Sequence, residues 1–171
     1  NFIIWNFFSW FISQKLSTFW VAKYSYSTAY DLAQEKLLKS GNSLENCKGI
    51  IEGIMDAELS GIKSHGFHYL PIYCNHLKIG KIKGAAKPSF EKISNSSLKI
   101  NADNGFAHTA INLGLDSLFE MCSEQGIACM SIYHSYNCGV LGFHTKRIAE
   151  KGFIGLGFTS APASIAPLEG T

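Results

Sequence analysis

The chain has 171 residues, of which 46% are hydrophobic and 16% are charged, and its formal net charge at pH 7 is +2. This length suits one ordinary domain or part of a larger protein. The nearly balanced charge excludes the strong field of one sign with which proteins attract nucleic acid or anionic lipid, so neither partner is expected.

Residues 1–24 differ in composition from the rest of the chain. They contain all three tryptophans and no acidic residue, and the first methionine is Met55. The apolar run over residues 2–12 is too short to span a bilayer and lacks the basic start of a secretion signal. We expect a leader that was appended or mistranslated, with an interfacial membrane anchor as the alternative. Because the sequence stops directly after a strand-like run, we also expect truncation at Thr171.

Residues 25–80 predict a helical part. The first helix is predicted to be capped by Ser27 or Thr28 and to stop at Gly41, and the second to stop at Gly61. Their apolar residues recur at helical spacing. These predicted core positions are Ala29, Leu32, Ala33 and Leu37 in the first helix and Cys47, Ile50, Ile51, Ile54 and Met55 in the second.

A third helix is predicted from "HYLPIYCNHLKIG", with Leu70, Tyr73 and Leu77 on one side and Gly80 at its end. Since Pro71 is tolerated only in a first turn, this helix is predicted to begin close to Gly66. That prediction places Ser64 and His65 at the helix N-terminus.

The remainder of the chain alternates strands with helices, which predicts an α/β architecture after a helical start. Residues 81–95 are predicted to form a connecting loop or a short hairpin. The elements predicted next are a strand in "SLKINAD", a helix in "FAHTAINLGLDSLFEMCSEQG", a strand in "IACMSIY", a helix in "GVLGFHTKRIAEKG" and a third strand in "FIGLGFT". The predicted divisions are therefore a leader (1–24), a helical part (25–80) and an α/β part (81–171).

The strand–helix–strand order invites a test for a Rossmann dinucleotide site. The segment "NADNGFAH" after the first predicted strand lacks the GxGxxG turn that lets a backbone approach a pyrophosphate. "GLGFTS" has a single GxG inside a predicted strand. A nucleotide would therefore bind by another geometry.

His65 is the main candidate for proton transfer. The partial positive charge at a helix N-terminus disfavours imidazolium and holds a histidine near a useful protonation equilibrium. Ser64 can cap the helix or hydrogen-bond a substrate oxygen. The alternative is purely structural, in which Ser64 caps, His65 is solvated and Gly66 turns.

A second polar group, "YHSYNCGVLGFH", follows the second strand and contains His134, Asn137 and Gly139. Ligands collect at the carboxyl ends of strands in α/β sheets. The alternative is an ordinary strand-to-helix turn with Asn137 as its cap. Surface or packing roles are expected for His68, His76, His108 and His144.

The metal-ligating and thiol residues do not form a recognisable site. No HExxH or comparable histidine–carboxylate pair is present, so no metal is expected. The five cysteines form no CxxC pair, which indicates buried thiols in a reducing compartment and favours the cytoplasm. Cys138 is interpreted as a packed thiol rather than a nucleophile.

Three blocks in their order, "AELSGIKSHGFHYLPIYCNHLKIGKI", "NADNGFAHTAINLGLDSLFEMCSEQGIA" and "HSYNCGVLGFHTKRIAEKGFIGLGFTSAPASIAP", resemble the type 2 malate/L-lactate dehydrogenase family. The resemblance covers residues 25–171 and stops about halfway through such a protein. It implies an NAD- or NADP-dependent oxidoreductase of 2-hydroxy or 2-oxo acids, with a mixed-sheet, non-Rossmann cofactor domain and a homodimeric assembly when complete. The fragment alone is expected to be inactive.

The resemblance also implies roles for individual residues. Ser64 and His65 match the family's active-site pair, Tyr73 matches a tyrosine near the substrate pocket, and Thr159 and Ser160 match a Thr-Asn pair near the nicotinamide. The predicted catalytic residues are His65, Ser64 and Asn137. The predicted substrate-binding residues are Tyr69, Tyr73 and His134, and the predicted cofactor-binding residues are Gly139, Thr159 and Ser160.

Two departures from the family pattern concern the substrate. Tyr69 stands where most members have an arginine, and Asn137 stands where many have a second histidine. Arg147 is the only arginine in the sequence, so a lysine, the missing half or another subunit must hold a substrate carboxylate, or the substrate is not a simple carboxylate.

Because Asn137 cannot accept a proton, the hypothesis assigns acid/base chemistry to His65. Asn137 and Ser64 orient the carbonyl, and His134 is the reserve candidate. The alternatives are an inactive, family-shaped binding module and a protein anchored to a membrane surface by its aromatic leader.

Overall fold

A computed structural model of the protein describes residues 2–6 and 21–160. Most of the predicted leader and residues 161–171 lie outside this range. The chain divides into two compact units, Asn1–Gly139 and Val140–Thr171. The division into parts 1–24, 25–80 and 81–171 remains a prediction.

The described elements follow the helical-then-α/β order that the sequence predicts, and the mixed α/β class is confirmed. They are β1 (Phe2–Asn6), β2 (Val21–Ser25), α1 (Tyr26–Lys39), α2 (Leu44–Leu59), 3₁₀ turns over Lys63–His65 and Phe67–Tyr69, α3 (Leu70–Lys78), β3 (Ser89–Ser94), β4 (Ser97–Asn101), α4 (Ala107–Gln125), β5 (Cys129–Tyr133) and α5 (Leu141–Glu150). No helix among the described residues is both long and apolar enough to cross a membrane.

The first two helices pack through the apolar stripes that their spacing predicts. All the predicted core residues of α2 are buried, and so are Ala29, Ala33 and Leu37 of α1. The predicted cap of α1 is wrong. Ser25 is the N-cap, because its Oγ accepts the backbone N–H of Thr28 at 3.1 Å.

The predicted start of the third helix is also wrong. Gly66 has an extended ψ of −146°, which interrupts the helical path, so α3 begins at Leu70 with Pro71 in its first turn. Ser64 and His65 lie in a separate 3₁₀ turn rather than at the N-terminus of an α-helix. The helix-dipole argument for His65 therefore fails.

The first unit contains a two-stranded antiparallel sheet of β1 and β2 and a mixed three-stranded sheet in the order β3-β4-β5. β3 pairs antiparallel with β4, so residues 81–95 include the first strand of a hairpin, and β4 pairs parallel with β5. A Cβ on Gly114 would lie 2.5 Å from the Met130 Sδ, so this glycine lets α4 pack close to the sheet. This close approach buries Ile100 beneath α4.

The third predicted strand, "FIGLGFT", does not form. Residues 153–160 have neither helical nor strand structure among the described elements. The side chains of Ile154, Leu156 and Phe158 are 95%, 79% and 89% exposed. An apolar pattern creates a strand only where a neighbouring strand supplies backbone hydrogen bonds, and no such neighbour is described for this segment.

The loop before β3 is fixed to the start of α2 by buried polar contacts. The Asn46 side-chain amide donates to the carbonyl oxygens of Gly84 and Ala86 at 2.8 and 3.0 Å. The Ser43 N–H donates to the Gly84 oxygen at 3.0 Å. A Cβ on Gly84 would collide with the backbone oxygen of Gly41, so this contact requires glycine.

Gly84→Ala should therefore lower the free energy of unfolding by about 1–3 kcal/mol, because a backbone atom must move to admit the methyl group. Chemical denaturation measures the loss. Ala85→Ser, at the exposed neighbouring position, is the matched control and should change stability by less than about 0.5 kcal/mol. Equal stability of Gly84→Ala and the unaltered protein would refute this account of the loop.

Candidate functional site

The Ser64–His65 pair is formed as a hydrogen-bonded unit. Ser64 Oγ and His65 Nδ1 are 3.0 Å apart in the exposed first 3₁₀ turn. The His65 ring stacks on Tyr69, with centroids 6.1 Å apart and planes inclined by 7°. One ring nitrogen is thus engaged by the serine, and one ring face is covered by the tyrosine.

A carboxylate from the end of α2 holds the turn that presents this pair. Glu58 Oε2 accepts the backbone N–H of Phe67 at 3.0 Å. A Cβ on Gly66 would collide with the same oxygen and would lie 3.4 Å from the Glu58 Cα. The glycine of the "SHG" motif therefore leaves room for the Glu58 carboxylate that holds the turn.

Tyr69 belongs to an aromatic cluster that consists of Tyr69, Tyr73, Phe106 and Tyr136. The ring centroid of Tyr73 lies 4.9 Å from that of Tyr69, 5.1 Å from that of Phe106 and 6.1 Å from that of Tyr136, and all three pairs pack edge to face. Tyr73 is buried at the centre of the group. Rings in this arrangement are favoured by their quadrupoles, so the cluster is a rigid wall beside His65.

Asn137 joins this wall through its side-chain oxygen. Its Oδ1 accepts the Tyr73 hydroxyl at 3.2 Å and the Gly139 N–H at 2.6 Å. Gly139 has a φ of +67°, which a glycine adopts without strain. Because the oxygen of Asn137 has two donors, its amide Nδ2 is the end that can donate to a substrate oxygen.

The residues predicted from the two polar segments are therefore brought together in large part. Six of them form a continuous series of contacts, namely Ser64, His65, Tyr69, Tyr73, Asn137 and Gly139. The reserve candidate His134 is exposed with a φ of +48°, and its ring lies 4.8 Å from that of Tyr133. Among the contacts of the described residues, none joins His134 to the aromatic cluster.

Thr159 and Ser160 lie in the second unit. Both side chains are exposed, and the Thr159 hydroxyl donates to the Ser160 carbonyl oxygen at 3.4 Å. In the same unit, the Arg147 guanidinium lies over the Phe143 ring at 5.4 Å.

The sequence interpretation missed His76. Its Nδ1 lies 2.6 Å from the Tyr136 hydroxyl, and the two rings are 5.6 Å apart. The signal was present, because His76 follows Tyr73 by three residues in a predicted helix and so lies on the same face. His108 and His144 are buried, as expected for packing residues. Within residues 2–6 and 21–160, no cluster of three or more potential ligands could hold a metal ion.

Burial keeps the phenols of the cluster protonated. Desolvation is the largest cause that raises the pKa of Tyr73 well above its ordinary value. Desolvation, together with the charge that an ionised Tyr69 would bring and a hydrogen bond with Tyr69, raises the pKa of Tyr136 to about 12. At neutral pH both hydroxyls therefore stay protonated and are not bases.

The described residues form a mixed α/β fold that presents a serine–histidine pair beside an aromatic cluster. The chain belongs to the malate/L-lactate dehydrogenase family, whose model matches residues 24–171. The family resemblance of the sequence is thereby confirmed.

Individual relatives give the same family assignment. The chain is 32% identical over 117 residues to the (2R)-3-sulfolactate dehydrogenase (NADP(+)) of Chromohalobacter salexigens, covering 68% of this chain and 35% of that protein. It is 30% identical over 143 residues to the delta(1)-pyrroline-2-carboxylate reductase 1 of Burkholderia ambifaria, covering 84% and 42%. The crystal structure of the delta1-piperideine-2-carboxylate reductase of Pseudomonas syringae pv. tomato matches with a TM-score of 0.72 and 28% identity, covering 75% and 39%. The chain thus spans 35–42% of the length of these two curated relatives.

The raised phenol pKa values give a pH prediction. Between the ordinary tyrosine pKa of about 10 and the pKa of Tyr136 near 12, the unfolded chain releases a proton that the folded chain retains. The contribution of Tyr136 to stability is therefore complete below pH 10 and is lost as the pH rises through 12. Absorbance at 295 nm, with denaturation at each pH, measures both changes.

Tyr136→Phe is the control for this prediction. It should remove one high-pH step from the absorbance titration and reduce the fall of stability over the same interval. A titration in which every tyrosine of the folded protein ionises near pH 10 would contradict the assignment.

Proposed function

We propose that this protein is an NAD- or NADP-dependent oxidoreductase that interconverts a 2-hydroxy acid and a 2-oxo acid, with His65 as its acid/base. The observation that carries the proposal is the Ser64–His65 hydrogen bond beside the rigid aromatic cluster and Asn137. The names of the relatives support it, since they describe dehydrogenases and reductases of small organic acids.

The proton chemistry follows from the hydrogen bond between Ser64 and His65. During reduction, a doubly protonated His65 imidazolium donates its Nε2 proton to the substrate oxygen and becomes neutral, keeping the Nδ1 proton that it donates to Ser64. In the reverse reaction, the neutral ring accepts the proton of the substrate hydroxyl at Nε2. Ser64 therefore sets which tautomer His65 presents, and the stacked Tyr69 limits rotation of the imidazole.

Asn137 and the aromatic cluster supply orientation. The Asn137 amide donates to the substrate carbonyl, whose oxygen gains negative charge during reduction. The neutral phenols and Phe106 provide a wall of low polarity, against which such a hydrogen bond is stronger than in water.

The predicted cofactor residues fit the chemistry of a nicotinamide. Thr159 and Ser160 have exposed hydroxyls that can donate to and accept from a carboxamide. The bound cofactor would supply or accept the hydride at the substrate carbon.

We further propose that the enzyme is a cytoplasmic homodimer. All five cysteines lie among the described residues as free thiols, which suits a reducing compartment. The dimer is proposed from the family resemblance alone.

The first experiment is a titration of NADPH and NADH into the protein expressed from the full reading frame that includes residues 1–171. Cofactor fluorescence should report binding, and loss of absorbance at 340 nm should report reduction of a 2-oxo acid. Pyruvate, oxaloacetate, sulfopyruvate and Δ1-pyrroline-2-carboxylate form the substrate panel. Cofactor binding without reduction of any of these substrates would favour the inactive binding module, whose motivation is the loss of both the arginine and the second histidine of the family pattern.

His65→Asn should lower kcat by about 10²–10⁴-fold, because it removes the proton donor and leaves cofactor binding in place. His68→Asn changes an exposed histidine of the neighbouring turn and is the matched control, with near-normal turnover expected. Near-normal turnover of His65→Asn would exclude His65 as the acid/base.

A further inference from the structure

A carboxylate substrate is usually bound by a positive charge, and arginine is the side chain that most often clamps it. The first compact unit contains no arginine, because Arg147 lies in the second unit, where its guanidinium covers Phe143. A cation of the first unit must therefore be a lysine, since an ammonium binds a carboxylate as a compact point charge.

Several lysines of the first unit have other partners. Lys83 forms an ion pair with Asp103, at 2.6 Å. Lys39 is paired with Glu35, and Lys99 lies over the Tyr133 ring at 4.9 Å. Lys81 is different, because its ammonium lies 5.9 Å from the centroid of Tyr136, a member of the aromatic cluster.

The backbone on both sides of Lys81 is fixed. Gly80 ends α3 with a φ of +73°, and its N–H donates to the Leu77 oxygen at 3.1 Å. The N–H of Ile82 donates to the His76 oxygen at 3.2 Å, and the Ile82 side chain is buried. The exposed lysine side chain therefore starts from a defined point beside the cluster.

The ring beneath the ammonium is fixed as well. His76 holds the Tyr136 hydroxyl at 2.6 Å, and Tyr69 also hydrogen-bonds Tyr136. The next residue, Asn137, is held by the Tyr73 hydroxyl. The Lys81 ammonium thus lies over the residue that directly precedes Asn137, whose amide is proposed to bind the carbonyl.

We propose that Lys81 is the specificity-determining residue that binds the carboxylate of the substrate. In the free protein its ammonium rests over Tyr136, a contact of the cation–π type. When the acid enters, the ammonium pairs with its carboxylate while Asn137 donates to its carbonyl. This inference rests on the proposed function and names the residue by which that site selects an anionic substrate.

The experiment compares Lys81→Met, Lys81→Arg and Lys99→Met in the protein expressed from the full reading frame. Lys99→Met is the matched control, since it removes a similar cation–tyrosine contact from an exposed position of β4. The measurements are kcat and KM with the best 2-oxo acid of the panel, and the binding of oxalate by calorimetry. Oxalate is a redox-inert carboxylate probe, so this second readout does not depend on turnover.

Lys81→Met should raise KM by about tenfold or more and weaken oxalate binding to a similar extent, with kcat within about threefold of the unaltered enzyme. Lys81→Arg should restore most of the affinity, and Lys99→Met should behave as the unaltered protein. Unchanged KM and oxalate affinity in Lys81→Met would overturn this inference and leave the proposed function standing. An unaltered protein that binds oxalate through Lys81 but neither binds nor oxidises NADPH or NADH would uphold the anion site and overturn the proposed function. If it binds neither oxalate nor cofactor, both proposals fail.

Discussion

Two hydrogen bonds between α3 and the segment after β5 hold the site together. Tyr73 donates to Asn137, and His76 shares a hydrogen bond with Tyr136, across 64 and 60 residues of sequence. These contacts join a helix of the first part of the chain to the end of a sheet strand, and each involves a side chain that is at least partly buried. Leaving a polar group unpaired at such a position costs more free energy than an exposed hydrogen bond contributes. The two segments are therefore strongly favoured to meet in this one arrangement.

The rest of the site is built outward from this junction. Tyr73 lies at the centre of the aromatic cluster, and Tyr69 contacts both Tyr73 and His65. Glu58 stabilises the adjacent turn by accepting the Phe67 N–H. On the other side, Gly139 closes the loop against the Asn137 oxygen. Ser64 is exposed and His65 and Asn137 are half-buried, whereas Tyr73 and Phe106 at the centre of the cluster are buried, so the polar groups are held by packed side chains.

The sequence pattern predicted the structure correctly where that structure depends on interactions between residues close together in the chain. The apolar period of 3.6 residues identified α1 and α2 and their buried faces, and the alternation of strands with helices identified the mixed α/β class. It failed where two distant segments decide the outcome. The start of α3 was misplaced because the contact of Glu58 with Phe67 and Gly66 spans nine residues and is invisible to periodicity. The strand predicted for residues 153–159 needed a partner strand, which an apolar pattern cannot supply.

The candidate site divides in the same way. By itself the sequence determined the element types, the family and the chemical identity of Ser64, His65 and Asn137, because residue type, local spacing and motif order are properties of the chain. Only the tertiary structure decided that His76 belongs to the site and that Lys81 lies over Tyr136. These relations depend on how α3 meets the end of β5. Contacts between residues so far apart in sequence arise from packing and from the satisfaction of buried polar groups, neither of which is encoded in any short stretch of sequence.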